Sequence, residues 1–242
     1  NTQDIGCYGR IRVFIDGDAG GGVGDIAEHG PVPGGGDDGV IILWSIAAGQ
    51  PVQVLRGEVG TIRTLTYVPH SDLLVSSGND YRITVWNVRT GCIQDQWLGH
   101  DHDINKVACH PNGQILISGG RDTKVHLWRL SSARHLHTFH AHNGPIGCLA
   151  SSPDGRFLAT TSEDQMLTLW DTHTYRSLWT VRAHRSDRIR TLYFSPDGAT
   201  LYSGAEDHTV RVWDVCSGNC LKTITGYMNW INAVAFHPSG EF

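Results

Sequence analysis

The chain has 242 residues, and 19 Lys and Arg against 24 Asp and Glu give a formal charge of −5. With 40% apolar and 18% charged residues, it is long and apolar enough to bury a core as one large domain or two small ones, which excludes wholesale disorder. Three lysines (Lys106, Lys124, Lys222) in an acidic chain argue against generic nucleic-acid backbone binding, and no apolar run approaches the roughly 18 residues that cross a bilayer.

The sequence opens on Asn1, with no charged segment leading into an apolar signal core, and Phe242 follows directly on a turn signal, Pro238-Ser239-Gly240. Both ends read as cut from a longer chain. Residues 1–36 form a Gly-rich N-terminal segment, since the first 39 residues hold 12 of the 29 glycines. The run 10–14 (RIRVF) looks like a strand, and Phe14 precedes Trp44 by 30 residues, too few for a full copy of the repeat described next. A degenerate partial unit is expected there. Asp16-Gly17-Asp18 lacks the third acidic position and closing Glu of a calcium loop, and Gly20-Gly21-Gly22-Val23-Gly24 lacks the Lys-Ser/Thr of a phosphate loop. Neither is read as a site.

From residue 37 to 242 the chain repeats. Trp44, Trp86, Trp128, Trp170 and Trp213 are 42, 42, 42 and 43 residues apart, and each follows an aspartate by six: Asp38, Asp80, Asp122, Asp164 and Asp207. Pro69, Pro111, Pro153, Pro196 and Pro238 keep the same beat. The one extra residue falls in the loop 185–188, because His184 lies five positions before Ile189 whereas His100 and His142 lie four before Ile104 and Ile146. Each unit holds four short β-branched or alternating runs between turns; in the third they are 104–109, 115–119, 125–130 and 135–139. Turns such as Pro153-Asp154-Gly155 combine a preset φ with a residue that accepts positive φ. No 3.6-residue period competes, so the chain is all-β.

A unit of this length with Gly99-His100, Ala141-His142 or Ala183-His184 near its start and Trp170-Asp171 or Trp213-Asp214 near its end resembles the WD40 repeat. The resemblance implies a β-propeller of four-stranded antiparallel blades. About five blades are recognisable, with the opening strand of a sixth at 232–236, so the ring is expected to be incomplete here. The pattern departs at Glu58 and Tyr227, where His is replaced, and at Ser45, Asn87 and Arg129, where the second Asp is.

The resemblance further implies a buried network in each blade. A turn aspartate carried into a packed sheet must find donors, because an unpaired buried carboxylate is costly. The aligned sets are His100, Ser118, Asp122 and Trp128; His142, Thr160, Asp164 and Trp170; and His184, Ser203, Asp207 and Trp213. The second unit keeps Ser76, Asp80 and Trp86, with Glu58 in the histidine's place. Ser, His and Asp together also describe a hydrolase triad, but three repetitions at fixed spacing, without a Gly-x-Ser-x-Gly elbow, point to structure.

No catalytic residue, metal site or cofactor motif is therefore assigned. His135 and His137 are expected on one face of an outer strand, as solvated histidines in preference to a chance metal pair. The six cysteines fall at irregular spacings and read as free thiols of a reducing, intracellular compartment, although Cys216 and Cys220 could meet across a hairpin. Arg182, Arg185, Arg188 and Arg190 surround the inserted residue as the one basic cluster.

The family's usual role implies a non-catalytic scaffold that holds proteins or peptides within a multi-subunit assembly. Its binding face carries the loops before the first strand and between the second and third. By position, the candidate partner-binding residues are Asn79, Arg121, Glu163 and Glu206 before the turn aspartates, with Arg63, Asn105, Arg185, Arg188 and Arg190 near the first strands. The regular unit from Trp213 to Trp230 also looks like bacterial-style repeats, so a second reading is the sensor or regulatory domain of a larger signalling enzyme, for example an NTPase.

Overall fold

The structure, a computed structural model, describes residues 14–16, 32–36, 39–45, 49–57, 60–185 and 188–234. Five four-stranded sheets follow one another along the chain. The first holds β1 (Phe14–Asp16), β2 (Val32–Gly36), β3 (Ile41–Ser45) and β4 (Gln50–Leu55). The second holds β5 (Ile62–Tyr67), β6 (Leu73–Gly78), β7 (Arg82–Asn87) and β8 (Cys92–Leu98). The third holds β9 (Ile104–Cys109), β10 (Ile115–Gly120), β11 (Lys124–Arg129) and β12 (Arg134–His140), with one short 3₁₀ turn at Leu130–Ser132. The fourth is β13 (Ile146–Ser151), β14 (Phe157–Ser162), β15 (Met166–Asp171) and β16 (Ser177–Arg182). The fifth is β17 (Ile189–Phe194), β18 (Thr200–Ala205), β19 (Val210–Asp214) and β20 (Cys220–Ile224). The last four are antiparallel meanders, whereas in the first sheet β1 pairs with β2 in parallel.

The first strands of successive blades lean on one another: β5 meets β9, β9 meets β13 and β13 meets β17, while β2 meets β5. In the second to fifth blades the second strand is buried on both faces, and the core is accordingly divided into four clusters, one in each seam between neighbouring blades. In the seam between the second and third blades, Val75, Ile83 and Val85 pack on Ile104, Val107, Leu116 and Trp128. A blade alone would leave both faces wet, so burial makes stacking obligatory. Trp86, sandwiched in a seam, is 0% exposed, whereas Trp44 at the same repeat position is 40% exposed. Close packing also explains Gly119: a Cβ there would lie 2.6 Å from Ile146 Cγ2, so only hydrogen fits between the strands. At the far end, Ile231 is buried and its N–H bonds Ala205 O at 3.1 Å, at the place where Ile104, Ile146 and Ile189 open their blades.

Two bulges recur, and the sequence pattern does not announce either. On each third strand the register slips just before the tryptophan, at Leu43/Trp44, Val85/Trp86, Leu127/Trp128, Leu169/Trp170 and Val212/Trp213. On the first strands, pairing passes from Ile62 to Thr64, from Ile104 to Lys106, from Ile146 to Cys148 and from Ile189 to Thr191. Arg63, Asn105, Gly147 and Arg190 are thus left out of the ladder. A residue bulged out of a ladder has its side chain re-aimed.

The outer bulge corrects one expectation. His135 pairs with Trp128 and His137 with Leu127, so Leu136 is the extra residue and the two histidines lie on opposite faces of β12. His137 stacks on Tyr175 of the next blade at 4.3 Å, while His135 faces His126 and Trp128. Cys216 and Cys220, like Cys92, Cys109 and Cys148, are free thiols.

Candidate functional site

Three blades carry the same four-residue relay. In the third, Trp128 Nε1–H donates to Ser118 Oγ at 2.9 Å, Ser118 Oγ lies 2.8 Å from His100 Nε2, and His100 Nδ1 lies 2.9 and 3.0 Å from the Asp122 carboxylate oxygens. In the fourth, Trp170, Thr160, His142 and Asp164 repeat it at 2.8, 2.8 and 3.0 Å. In the fifth, Trp213, Ser203, His184 and Asp207 do so at 2.9, 2.7 and 3.0 Å. A carboxylate accepts only, so each Nδ1 carries the proton; Nε2 is then a bare lone pair that takes the hydroxyl proton, and the hydroxyl oxygen accepts the indole N–H. Of the three relay donors only the imidazole reaches the aspartate, with the hydroxyl and indole one and two steps behind it.

Each aspartate also builds its own turn. Asp122 accepts the N–H of Lys124, Asp164 that of Met166 and Asp207 that of Thr209, at 3.0–3.2 Å. The intervening Thr123, Gln165 and His208 are held at left-handed φ of 68°, 70° and 64°. A further N–H, from Asp101, Asn143 or Arg185 in the loop before the first strand, reaches the same carboxylates. The aspartate therefore ties together two loops that emerge side by side.

Electrostatics follow from these partners. Burial alone would raise the Asp122 and Asp207 carboxyls, but the donors gathered on them, chiefly His100 on Asp122 and the Arg185 N–H on Asp207, outweigh it and hold both below the usual carboxylate range. Asp80 is half-buried, without an imidazole partner among the described residues; its burial prevails over the Arg82 N–H at 3.0 Å and raises its carboxyl. In that blade Trp86 Nε1–H still reaches Ser76 Oγ at 2.6 Å. Residue 58, where Glu replaces the histidine, lies outside the described residues, as does Asp38. Burial pushes the His142 and His184 imidazoles down, against the pull of Asp164 and Asp207.

The order hydroxyl–imidazole–carboxylate matches that of a hydrolytic triad. Ser118, Thr160 and Ser203 are each 0% exposed, and each oxygen is already occupied by an indole N–H. A substrate carbonyl has no approach to them.

The loop face is what the relays position. The residue before each turn aspartate bonds by its N–H to the loop preceding its blade's first strand: Asn79 to Thr61 O, Arg121 to Asp103 O, Glu163 to Pro145 O and Glu206 to Arg188 O, at 2.9–3.2 Å. The bulged Arg63, Asn105 and Arg190 emerge beside them. Arg63 Nη2 pairs with Asp103 Oδ2 at 3.1 Å, Asn105 Nδ2 donates to Ile146 O at 2.8 Å, and Arg190 Nη2 meets Glu206 Oε1 at 2.7 Å. Arg188 Nε lies 3.7 Å from Glu163 Oε1. The Arg190 guanidinium also sits 4.6 Å over the ring of Trp230, which is 50% exposed. Asn79, Arg121, Arg185 and Arg188 are exposed. Asp103 and Trp230 were not singled out by position in the repeat; each is recognised only through the arginine it holds.

Two outcomes follow. Asp122→Ala leaves the His100 Nδ1–H without its acceptor and frees two loop N–H groups, so thermal or urea unfolding should show a loss of about 1–3 kcal/mol; an unchanged midpoint would remove the relay's structural role. The second outcome concerns acid. His142 and His184 have folded pKa values below the ordinary ~6.5, so the unfolded chain binds more protons, and stability is full above that value and lost as pH falls below it. Asp122 and Asp207, held low, lose theirs at still lower pH, with the same sign, and Asp80 alone runs the other way. Melting temperature should be flat from about pH 8 to 7 and fall steadily below about 6.5; a rise on acidification contradicts this.

A family model described as the IFT122 first beta-propeller matches residues 32–242. Nuclear distribution protein PAC1 of Gibberella zeae is 56% identical over 25 residues, which are 10% of this chain and 5% of that protein. The chain thus matches only a small share of that relative's length. Taken with the relays and the stacked four-stranded blades, the match across residues 32–242 assigns the chain to the IFT122 first beta-propeller family, of the WD40-repeat β-propeller type.

Proposed function

We propose that this propeller is a non-catalytic recognition module that holds a protein or peptide partner on its loop face. The observation that carries the reading is the inner-strand bulge, which delivers Arg63, Asn105 and Arg190 to the same face as Asn79, Arg121, Glu163 and Glu206. A purely structural surface has no need to vary these positions in charge from blade to blade, and a specific one does. The ion pairs Arg63–Asp103 and Arg190–Glu206 hold their side chains in place before a partner arrives, which lowers the ordering cost of binding. Arg190 over the half-exposed Trp230 offers the Arg–aromatic chemistry that dominates many interfaces. The buried, occupied hydroxyls of the relays support a molecule that binds rather than cuts.

Among the described residues no helix is long and apolar enough to cross a membrane. Three exposed free thiols, Cys92, Cys216 and Cys220, favour a reducing intracellular setting. Membership of a multi-subunit assembly belongs to the same proposal.

The test is a crosslinking pull-down with the full-length protein, comparing the wild type with Arg121→Glu and Arg188→Glu, singly and together. Both side chains are exposed and outside the relays, so the variants should melt as the wild type does. The double variant should lose its specific partner by about tenfold or more, as like charges now oppose across the interface. Identical partner recovery from wild type and double variant would place binding elsewhere.

A further inference from the structure

The third blade carries a histidine cluster that the relay does not use. His126 on β11 and His135 on β12 face each other because the Leu136 bulge turns His135 onto the His126 side. His126 Nδ1 and His135 Nε2 are 3.2 Å apart, with Thr138 Oγ1 at 2.8 Å from the first and 2.6 Å from the second. Two imidazole nitrogens bound to one tetrahedral ion at about 2.0–2.1 Å each would lie about 3.3 Å apart. The separation of the pair thus matches the bite of a single metal ion.

The opposite edge of His126 sets its tautomer. Its Nε2 is buried, has no hydrogen-bond partner among the described residues, and points toward Asp122 Oδ2 at 4.0 Å. A carboxylate on that side favours the proton on Nε2, which leaves the Nδ1 lone pair aimed at His135. Trp128 fixes both rings, stacking on His126 at 5.6 Å and meeting His135 edge-on at 5.0 Å. His135 is exposed and gives solvent access. His100, Asp122 and His126 also lie within 4.8 Å of one another. His100 Nδ1 is already committed to Asp122, however, so that inner set would have to break the relay, and the outer pair would not.

We propose that His126 Nδ1 and His135 Nε2, with Thr138 Oγ1 beside them, form a surface site for one divalent transition-metal ion of the zinc or copper class, water completing the coordination. Asp122 then serves twice, anchoring the relay through His100 and orienting the metal-binding ring from behind.

The experiment is a Zn²⁺ titration of the full-length protein against a chromophoric competitor, for the wild type, His135→Ala and His137→Ala. His137 is the matched control, one face away on the same strand. His135→Ala should weaken the tightest Zn²⁺ site by at least about tenfold, the loss that even changes behind a ligand produce, and His137→Ala should leave it unchanged. Should His135→Ala fail to fold, histidine-selective ¹⁵N NMR of the wild type decides: Zn²⁺ should first shift the signals of His126 and His135. Absence of competitor-detectable binding, equal losses in the two variants, or first shifts at other histidines would overturn the site.

Discussion

A proton count governs the regular blades. Indole N–H, hydroxyl O–H and imidazole Nδ1–H point in one direction and end on a carboxylate, so each buried group in the chain gives or takes without remainder. The arrangement works only with a neutral imidazole of one tautomer. A second proton, on Nε2, would face a hydroxyl whose own proton has nowhere else to go. Because the same carboxylates accept N–H groups from two loops, satisfying the interior also fixes the surface. The second blade marks the alternative: the indole and Ser76 still meet, but Asp80 has no imidazole among the described residues, and its carboxyl is raised rather than lowered.

Packing and function are coupled through the strand register. The blades bury their apolar side chains against their neighbours, which concentrates the core in the seams. The first strands run side by side through those seams. At the start of these strands stand Arg63, Asn105 and Arg190, whose side chains reach Asp103, the Ile146 carbonyl and Glu206. The bulge removes each from the ladder and sends it to the loop face. One local irregularity therefore sets where these side chains emerge.

Much of this was legible in the sequence. The five tryptophans and their aspartates fix the period, the hydroxyl four residues before Asp80, Asp122, Asp164 and Asp207 locates the second strand in those units, and the extra residue near 185–188 is found by counting alone. Expected strand limits in the third unit differ from the observed ones by a residue or less, because turn residues bracket each run. Register was not legible. A bulge depends on which residues lie opposite, and the alternation of His135 and His137 within one strand carries no information about Leu136. The parallel pairing of β1 with β2 also escapes a repeat-based reading, since the Gly-rich stretch has no repeat to align. Asp103 and Trp230 vary from unit to unit, so position could not flag them.

The protein combines indole-to-carboxylate relays inside three blades with a charged, unevenly patterned face, and the proposed recognition role rests on that division. The relay joins interior to surface, and the tautomer of its imidazoles tests it most directly. In ¹⁵N NMR of histidine side chains at neutral pH, His100, His142 and His184 should each appear as the neutral form protonated on Nδ1. Imidazolium signals, or neutral rings protonated on Nε2, would mean that the hydroxyls and carboxylates are not joined as described.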